Sequence, residues 1–444
     1  MVRPSVSVSR ARACISILLF LFFLAAGFAW GEPAKAPPEP PETVVAIADV
    51  HGDFDDLVAL LQRTGLIDKQ NHWTGGKTTF VQVGDLIDRG PKPREVMDLM
   101  MALEKEAAQA GGRVISLLGN HEMMNIMGDL RYVTPVNYAS FADGNSGKRQ
   151  KSAYEEYVKW RDSHAPLLAE LPQPMELTES EWMARHPPGF IEQREAFGPK
   201  GEYGEWLRGH AALAEIEGII FLHGGIHPDL AKMKLEEMNK QIHDEIKTFD
   251  ASKQYLQNEK VILPFFNLQE IANVVQAEVL AERKSRVPAS AERQAKILEF
   301  LRFQDWLSVK VDGPLWFRDY DKWSEAEGTP QVSKLLEAYK ATHLVVGHTP
   351  QKGGRIQLRF GNKVFLIDTG MLSSYYTGGR PSALEICGDA KFIAVYLDQQ
   401  VLLLDSAGSS PPNGGPGEHR GVGDGAAVLL PPDRICSATT ATPQ

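Results

Sequence analysis

Short apolar runs, each closed by polar residues or glycine, recur along this chain and predict buried β-strands. The first three runs are Val44 to Ala48, Thr79 to Val83 and Val114 to Leu118. Between them, apolar residues recur at helical spacing over 53–67 and 93–110. This alternation of strand and helix predicts an α/β fold that begins with consecutive strand–helix–strand units.

Two later blocks, 130–217 and 229–311, favour helix and are expected to be insertions that shape access to a site. The folded domain is predicted to span 44–405, and the Gly-, Pro- and Ser-rich tail 406–444 is expected to be disordered. Apolar runs predict further strands at 218–222, 343–346, 363–367, 392–397 and 401–404.

Residues 1–31 have the pattern of a secretory signal peptide, with three arginines before an almost wholly apolar run. A Pro-rich linker, 32–43, follows. The apolar run of about 17 residues is short for a membrane span. We therefore expect a secreted or periplasmic protein with no stable membrane association after cleavage; an uncleaved N-terminal anchor is the alternative.

Charge and cysteine content narrow the picture further. The formal charge of -10 argues against a nucleic-acid partner, which usually meets a basic face. Of the three cysteines, one lies in the leader, leaving Cys387 and Cys436. These two could form a disulfide in an oxidising compartment, or one could be buried and the other free.

Five polar motifs follow the predicted strands, and four of them place a histidine at or near a strand end. Alone, a histidine motif would be explained by a turn with a hydrogen-bonded histidine, and Asp88 with Arg89 by a surface ion pair. Because the carboxyl ends of parallel strands share one edge of a sheet, the ordered set instead predicts a metal site. The motifs are Ala48-Asp49-Val50-His51-Gly52, Gly84-Asp85-Leu86-Ile87-Asp88-Arg89-Gly90, Gly119-Asn120-His121-Glu122, His223-Gly224-Gly225 and Gly347-His348-Thr349-Pro350.

Carboxylate, amide oxygen and imidazole ligands suit borderline divalent ions, with manganese as the first candidate and iron, zinc or nickel as alternatives. The ligands suffice for two ions if Asp85 bridges them. The residues assigned to the first ion are Asp49, His51 and Asp85, and those assigned to the second are Asp85, Asn120, His223 and His348.

Two neighbouring ions can activate a shared water, so we expect metal-bound hydroxide as the nucleophile of a hydrolysis. His121 is the candidate general acid for the leaving oxygen, and Asp88 is expected to orient its imidazole. Arg89, Arg318 and Asn120 are the candidates for binding the substrate phosphate, because an arginine fork matches phosphate oxygens.

At these motifs the chain resembles the phosphoprotein phosphatase branch of the calcineurin-like metallophosphoesterases. It most resembles the Shewanella-like protein phosphatases, through Gly-His-Thr-Pro at 347–350 and Asp-Thr-Gly-Met at 368–371. The resemblance implies a central β-sandwich flanked by helices, two metals and hydrolysis of phosphate monoesters on tyrosine or serine/threonine of a protein. Ala48 replaces a usual glycine, and the Ser-Ala-Pro-Asn-Tyr loop of the eukaryotic enzymes is absent.

Two alternatives remain beside the phosphatase. A diadenosine polyphosphate or nucleotide hydrolase of the same superfamily would need aromatic side chains at the cleft. Tyr154, Tyr157, Trp160 and Trp206 could serve, but we expect them to form the core of the insertion. A non-catalytic module that binds phosphorylated ligands is less favoured, because every ligand and the His121 proton donor are intact.

Overall fold

Two β-sheets lie at the centre of this computed structural model, which describes residues 43–171, 177–284, 290–388, 391–406, 428–429 and 436. The predicted signal peptide and all but the last residue of the predicted linker lie outside these residues. Within the described ranges, no helix has both the length and the apolar character needed to cross a bilayer.

The strands found in these ranges are β1 (Val44–Ile47), β2 (Thr79–Gln82), β3 (Arg113–Ser116), β4 (Leu213–Ile216), β5 (Ile219–Leu222), β6 (His343–Val346), β7 (Gln357–Arg359), β8 (Val364–Leu366), β9 (Ser382–Cys387), β10 (Lys391–Tyr396), β11 (Gln400–Asp405) and β12 (Val428–Leu429).

The helices in the same ranges are α1 (Phe54–Arg63), α2 (Pro93–Ala110), α3 (Asn120–Met127), α4 (Pro135–Phe141), α5 (Ser146–Ser163), α6 (Ala165–Leu168), α7 (Glu179–Arg185), α8 (Phe190–Ala196), α9 (Glu202–Arg208), α10 (Leu235–Asn258), α11 (Leu268–Lys284), α12 (Ala291–Leu301), α13 (Asp319–Lys322) and α14 (Glu325–Tyr339). Two 3₁₀ turns lie at Pro228–Lys232 and Phe303–Asp305.

Each sheet is built around three parallel strands. The first has the order β12-β11-β10-β9-β1-β2-β3, with β1, β2 and β3 parallel to one another. The second has the order β4-β5-β6-β8-β7, with β5, β6 and β8 parallel. Since parallel strands end at the same edge, each sheet presents three strand-to-loop turns side by side.

The two sheets pack face to face, which explains why the strand sequences are apolar at nearly every position. Val44 and Ala46 of β1 belong to one apolar cluster with Phe221 of β5 and other residues of the second sheet. Val45 and Ile47, on the opposite face, pack in the cluster that contains the helices. Strands buried on both faces read as continuous apolar runs, so the predicted β-sandwich flanked by helices is confirmed.

Several boundaries and three strands differ from the sequence prediction. The first helix is shorter than the predicted 53–67, because Asp53 lies outside it and caps it by accepting a hydrogen bond from the N–H of Asp56. The first helix-favouring block was expected to extend to residue 217, but its last residues form β4. Strands β7 and β9 were also missed; β9 carries the polar Glu385 in its centre, which hides its apolar character.

The few described residues of the tail are attached to the domain. Val428–Leu429 pair with β11, and Cys436 forms a disulfide with Cys387, with a Cα–Cα distance of 5.5 Å. Disorder is therefore wrong for these positions and stays a prediction for the rest of 406–444, nearly all of which lies outside the described residues. Of the alternatives for the two cysteines, the structure has the disulfide.

Glu385 lies next to this disulfide and is fully buried. Its Oε1 accepts a hydrogen bond from the main-chain N–H of Cys436 at 3.0 Å, and its Oε2 has no partner among the described residues. Burial raises the pKa of Glu385 to about 7. Since the unfolded chain loses this proton at a lower pH than the folded chain, the folded state loses stability as the pH rises from about 4.5 to about 7.

We therefore expect Glu385→Gln to be more stable than the wild type at pH 8, by roughly 2–3 kcal/mol, and to lose most of this advantage near pH 4.5. Urea unfolding at the two pH values measures the difference. Glu215→Gln, at an exposed strand position, should show no such dependence. A Glu385→Gln advantage that is the same at both pH values would contradict this account.

Candidate active site

The predicted site residues converge where the parallel strands of both sheets end. Loops after β1, β2, β5 and β6 carry the first carboxylates and imidazoles, and α3 begins with the amide and the proton donor. All of these side chains are buried, with exposures of 4% or less. They are Asp49, His51, Asp85, Asp88, Asn120, His121, His223 and His348.

The turns that hold these side chains are conformationally strained. Non-glycine residues seldom adopt positive φ, and when they do so the surroundings usually enforce it at a functional site. Hydrogen bonds from the N–H groups of Val50 and His51 to the carbonyl of Asp85, at 2.9 and 3.0 Å, tie the first two motifs together. The site residues with positive φ are His51, Asp85, Asp88, Arg89 and His348, with angles between 49° and 69°.

Glu122 ties the second motif to the third, a role that the sequence did not reveal. One carboxylate oxygen accepts hydrogen bonds from the N–H groups of Asp85 and Gly119, both at 2.8 Å, and the other accepts from Leu86 at 2.9 Å. Burial and the neighbouring Asp85 carboxylate raise the pKa of Glu122 to about 7. The fourth residue of Gly-Asn-His-Glu is thus a support for the loop and points its oxygens at main-chain donors.

Main-chain carbonyls fix the orientation of the three histidines assigned to metal. His51 Nδ1 lies 3.0 Å from the carbonyl oxygen of Ile87, and His223 Nδ1 lies 3.0 Å from that of Val83. His348 uses its other nitrogen, since its Nε2 lies 3.2 Å from the carbonyl oxygen of Trp316. A carbonyl can only accept, so these nitrogens carry hydrogens, and the opposite nitrogens face the site, where a cation can bind in place of a proton.

The donor atoms assigned to the second ion are close together. His223 Nε2 lies 2.9 Å from Asn120 Oδ1, 3.0 Å from His348 Nδ1 and 3.2 Å from Asp85 Oδ2. Ligands at right angles around one ion, with bonds of about 2.1 Å, are separated by roughly 3 Å. The four side chains therefore fit a single divalent cation without rearrangement of the main chain.

The donor atoms assigned to the first ion are farther apart than those assigned to the second, and the two groups share one carboxylate oxygen. His51 Nε2 lies 3.6 Å from Asp49 Oδ2 and 3.7 Å from Asp85 Oδ2. The same Asp85 oxygen therefore faces both groups of ligands, as bridging requires. Asp85 Oδ1 is held by the N–H of His121 at 3.0 Å, which leaves Oδ2 directed into the site.

Buried negative charge makes this a site for cations. Burial raises the pKa of Asp49, and burial together with Asp49 raises that of Asp368, a residue after β8 for which the sequence suggested no role. Asp368 Oδ2 is buried without a hydrogen-bond partner among the described residues. Burial opposes a proton on His223, but Asp85 and Asp49 outweigh it and raise its pKa to about 9. The carboxylates that favour a proton on His223 would also favour a divalent cation in place of that proton.

His121 has the surroundings of a proton donor. Its Nδ1 lies 2.7 Å from Asp88 Oδ2, and its Nε2 faces the site, 3.8 Å from Asp85 Oδ2. Burial opposes charge on the imidazole, but the carboxylates of Asp85 and Asp88 prevail and raise its pKa. His121 and Asp88 therefore form the hydrogen-bonded pair that the motifs predicted.

Behind this pair lies a support that the sequence analysis missed. Asn125 Nδ2 donates to both oxygens of Asp88 at 3.0 and 3.1 Å, and it lies one helical turn after His121 on α3. Helix α8, from the first insertion, holds Asn125 in turn. Gln193 Nε2 donates to Asn125 Oδ1 at 2.7 Å, and Arg194 Nη1 donates to the Asn125 carbonyl at 3.0 Å.

The guanidinium of Arg194 reaches the C-terminal end of α3, where free carbonyls and the helix dipole favour a cation. It can approach because Gly128 ends the helix. Gly128 has a φ of +85°, and a Cβ there would lie 2.7 Å from Nη2 of Arg194. The first insertion is thus part of the support of the proton donor. In the sequence, the helical spacing of His121 and Asn125 is the one signal that could have suggested that Asn125 supports the proton donor.

Arg89 lies at the mouth of the site among three tyrosines. Its Nη2 lies 3.1 Å from His121 Nε2, and its Nη1 contacts His51 Nε2 and the hydroxyl of Tyr376. The guanidinium carbon also lies 5.3 Å from the ring centre of Tyr132 and 4.9 Å from that of Tyr375. The lone pair on His51 Nε2 cannot bind Arg89 and a cation at the same time. Cation binding therefore breaks the contact between Arg89 and His51 and leaves the guanidinium free to bind an anion.

Arg318 also lies at the site, but it is bound to the loop of the second ligand set. Its Nη1 donates to the carbonyl of His348 at 2.7 Å and to Thr349 Oγ1 at 3.3 Å. Its Nη2 lies 3.5 Å from His348 Nδ1. Arg318 thus positions His348, and its role as a phosphate ligand stays a prediction.

The aromatic residues considered for base stacking lie within the insertion's own packing. Tyr157 and Trp160 are buried, and the indole N–H of Trp160 donates to the carbonyl of Val261 at 3.1 Å. Tyr154 packs against Trp182, and Trp206 donates to a carboxylate of α2. These contacts agree with the expectation of a core and supply no stacking surface at the strand ends.

Comparison with known proteins agrees with this geometry. The family model for calcineurin-like phosphoesterases matches residues 42–352. The chain is 28% identical over 371 residues to an uncharacterised protein of Schizosaccharomyces pombe, covering 82% of this chain and 83% of that one. It is 26% identical over 358 residues to Shewanella-like protein phosphatase 1 of Plasmodium berghei, covering 80% and 74%.

Among solved structures, the cold-active protein tyrosine phosphatase of a psychrophilic Shewanella species aligns with a TM-score of 0.52 and 24% identity. The alignment covers 82% of this chain and 81% of that one, and it shows a shared fold. With the family model spanning more than half of the sequence and the motif residues gathered at one edge, this chain belongs to the calcineurin-like phosphoesterase family.

Proposed function

We propose that this protein is a phosphoprotein phosphatase that hydrolyses phosphate monoesters with two divalent cations, manganese being the first candidate. The observation that carries the proposal is the His121–Asp88 pair, 2.7 Å apart, beside the carboxylate oxygen of Asp85 that both ligand sets share. The relatives named Shewanella-like protein phosphatase in Plasmodium berghei and Arabidopsis thaliana support phosphoproteins as the substrate class.

The ligands in the two sets would hold the cations, which when bound would acidify a water for attack and neutralise phosphate charge. Arg89, released from His51, would bind phosphate oxygens with its planar fork. His121 would donate its Nε2 proton to the leaving oxygen while Asp88 stabilises the imidazolium. Asn125 would keep Asp88 in place, and the burial of the pair would exclude competing water.

The tyrosines around Arg89 further support a preference for phosphotyrosine. Tyr375 is 54% exposed and Tyr132 is 36% exposed, although their rings lie close to the proposed phosphate ligand. Exposed rings at that distance could pack against an aromatic leaving group, which phosphoserine and phosphothreonine lack. The nucleotide-hydrolase alternative has weaker support, since a relative named symmetrical bis(5'-nucleosyl)-tetraphosphatase in Neisseria gonorrhoeae is 25% identical over 46% of this chain.

Export to the periplasm or outside the cell is also proposed, on the signal-peptide pattern of residues 1–31. The disulfide between Cys387 and Cys436 is compatible with an oxidising compartment. The N-terminal residue of the protein isolated from the cell envelope or the medium, determined by mass spectrometry, would test the proposed cleavage.

His121→Asn should lower turnover of p-nitrophenyl phosphate by about 10²–10⁴-fold, because the leaving oxygen loses its proton donor. Metal content, measured by elemental analysis, should remain that of the wild type. His186→Asn is a matched control, since His186 is buried and lies 3.0 Å from Glu270 in the insertion. Undiminished turnover in His121→Asn would remove His121 from the mechanism.

Asn125→Ala should lower turnover by roughly 10–100-fold through loss of Asp88 support. The loss should be greater for an alkyl phosphate than for p-nitrophenyl phosphate, because a poor leaving group depends more on protonation. Asn239→Ala is the control, since the hydrogen bonds of Asn239 within the described ranges go to main-chain atoms of Ala212 and Leu213. An equal loss with both substrates would indicate general disruption of the fold.

Tyr375→Ala should reduce kcat/KM for a phosphotyrosine peptide by up to about tenfold and affect a matched phosphothreonine peptide less. Tyr375→Phe keeps the ring and should retain the wild-type preference. A wild type that favours phosphothreonine, or equal losses on the two peptides, would contradict the proposed role of the tyrosines.

A further inference from the structure

A second cavity lies away from the strand ends, where the first insertion packs against α10. Its volume is about 690 Å³, within the range of small-molecule pockets, and of the residues described at the active site Arg194 alone lines it. We call it the insertion cavity. Its wall contains Arg149, Arg194 and Lys253, the acids Glu156, Glu195 and Asp250, and the apolar Ile191 and Phe265.

Two cations in this wall lack acidic partners. Arg194 is 5% exposed, and neither Arg194 nor Lys253 forms an ion pair with any described residue. The nearby Asp250 is already bound by the guanidinium of Arg208, at 2.8 and 2.9 Å. Arg149 in turn pairs with Asp143 and Glu192. Burying unpaired charge is costly, so the buried Arg194, with the partly buried Lys253 beside it, is the unexplained feature of the cavity.

The charge of Arg194 also disfavours a proton on Lys253. Burial, and then the charge of Arg194, lower the pKa of Lys253 to about 7. Burial lowers the pKa of Arg194 to about 10. Nη1 of Arg194 donates to the Asn125 carbonyl at the C-terminal end of α3, but the Nε of Arg194 has no hydrogen-bond partner among the described residues. Asp250 favours the charge of Lys253, but that carboxylate is held by Arg208.

We propose that the insertion cavity binds a small organic dianion through Arg194 and Lys253, and that the bound anion lowers turnover at the active site. A dianion matches the two cations, and the apolar wall at Ile191 and Phe265 suits an organic framework.

A short chain of hydrogen bonds connects the two places. Arg194 donates to the carbonyl of Asn125 at 3.0 Å, Asn125 donates to Asp88 at 3.0 Å, and Asp88 lies 2.7 Å from His121. An anion bound in the cavity draws the Arg194 guanidinium towards itself and away from the Asn125 carbonyl. The hold of Asn125 on Asp88, and through it on His121, is thereby weakened. The expected loss of turnover rests on the function proposed above.

The test uses isophthalate as the dianion and isophthalamide as its uncharged analogue, each titrated calorimetrically into the full-length, metal-loaded protein. Isophthalate should bind more tightly than about 1 mM, and the amide should not. Lys253→Met should weaken isophthalate binding at least tenfold with basal turnover unchanged. Lys247→Met, an exposed lysine on the same helix, is the matched control and should bind as the wild type does.

Saturating isophthalate should lower p-nitrophenyl phosphate turnover by roughly fivefold in the wild type and leave Lys253→Met unaffected. The proposal is overturned by equal binding of the amide, by undiminished binding in Lys253→Met, or by binding that leaves wild-type turnover unchanged. A protein that hydrolyses no phosphate ester refutes the proposed function and the effector role together, whereas the calorimetry still reports on the cavity alone.

Discussion

The shared carboxylate of Asp85 is the constraint on which the rest of the site depends. One of its oxygens is held by the N–H of His121, and the other faces ligands from both sheets. Its main-chain carbonyl also accepts two hydrogen bonds from the first motif, and its N–H is bound by Glu122. A buried carboxylate is costly unless hydrogen-bond donors or cations surround it. The strained turns around Asp85 hold such groups against it.

Much of the fold could be predicted because local and tertiary signals agree. Strands β1, β2 and β5 are buried on both faces, so their sequences are continuously apolar. Strand β9 was missed because Glu385 interrupts its pattern, and the burial of that carboxylate depends on packing that no local signal encodes. Helix α2 was predicted to its last residue, since proline starts it and Gly111, in the left-handed conformation, ends it.

The residues of the candidate site also include some that the sequence could predict and some that it could not. Ligands next to strand ends were predictable because their positions along the chain determine the edge at which they lie. Asp368 also follows a strand, but its motif was interpreted only as a mark of the family resemblance and was not assigned to the site. Gln193 and Arg194 act on the proton donor from an insertion about 70 residues away in sequence, and only the packing of α8 against α3 brings them there. Residues of this kind have no signature in a single sequence.

The pairing of β12 with β11 has a consequence for the behaviour of the protein in solution. Without Val428–Leu429, β11 would be the outer strand of the seven-stranded sheet, and its N–H and C=O groups would face water. An open strand of this kind is a template onto which another polypeptide can add by intermolecular hydrogen bonding, the first step of aggregation. The two-residue strand, anchored near the disulfide, covers part of that edge and so protects the sheet from self-association.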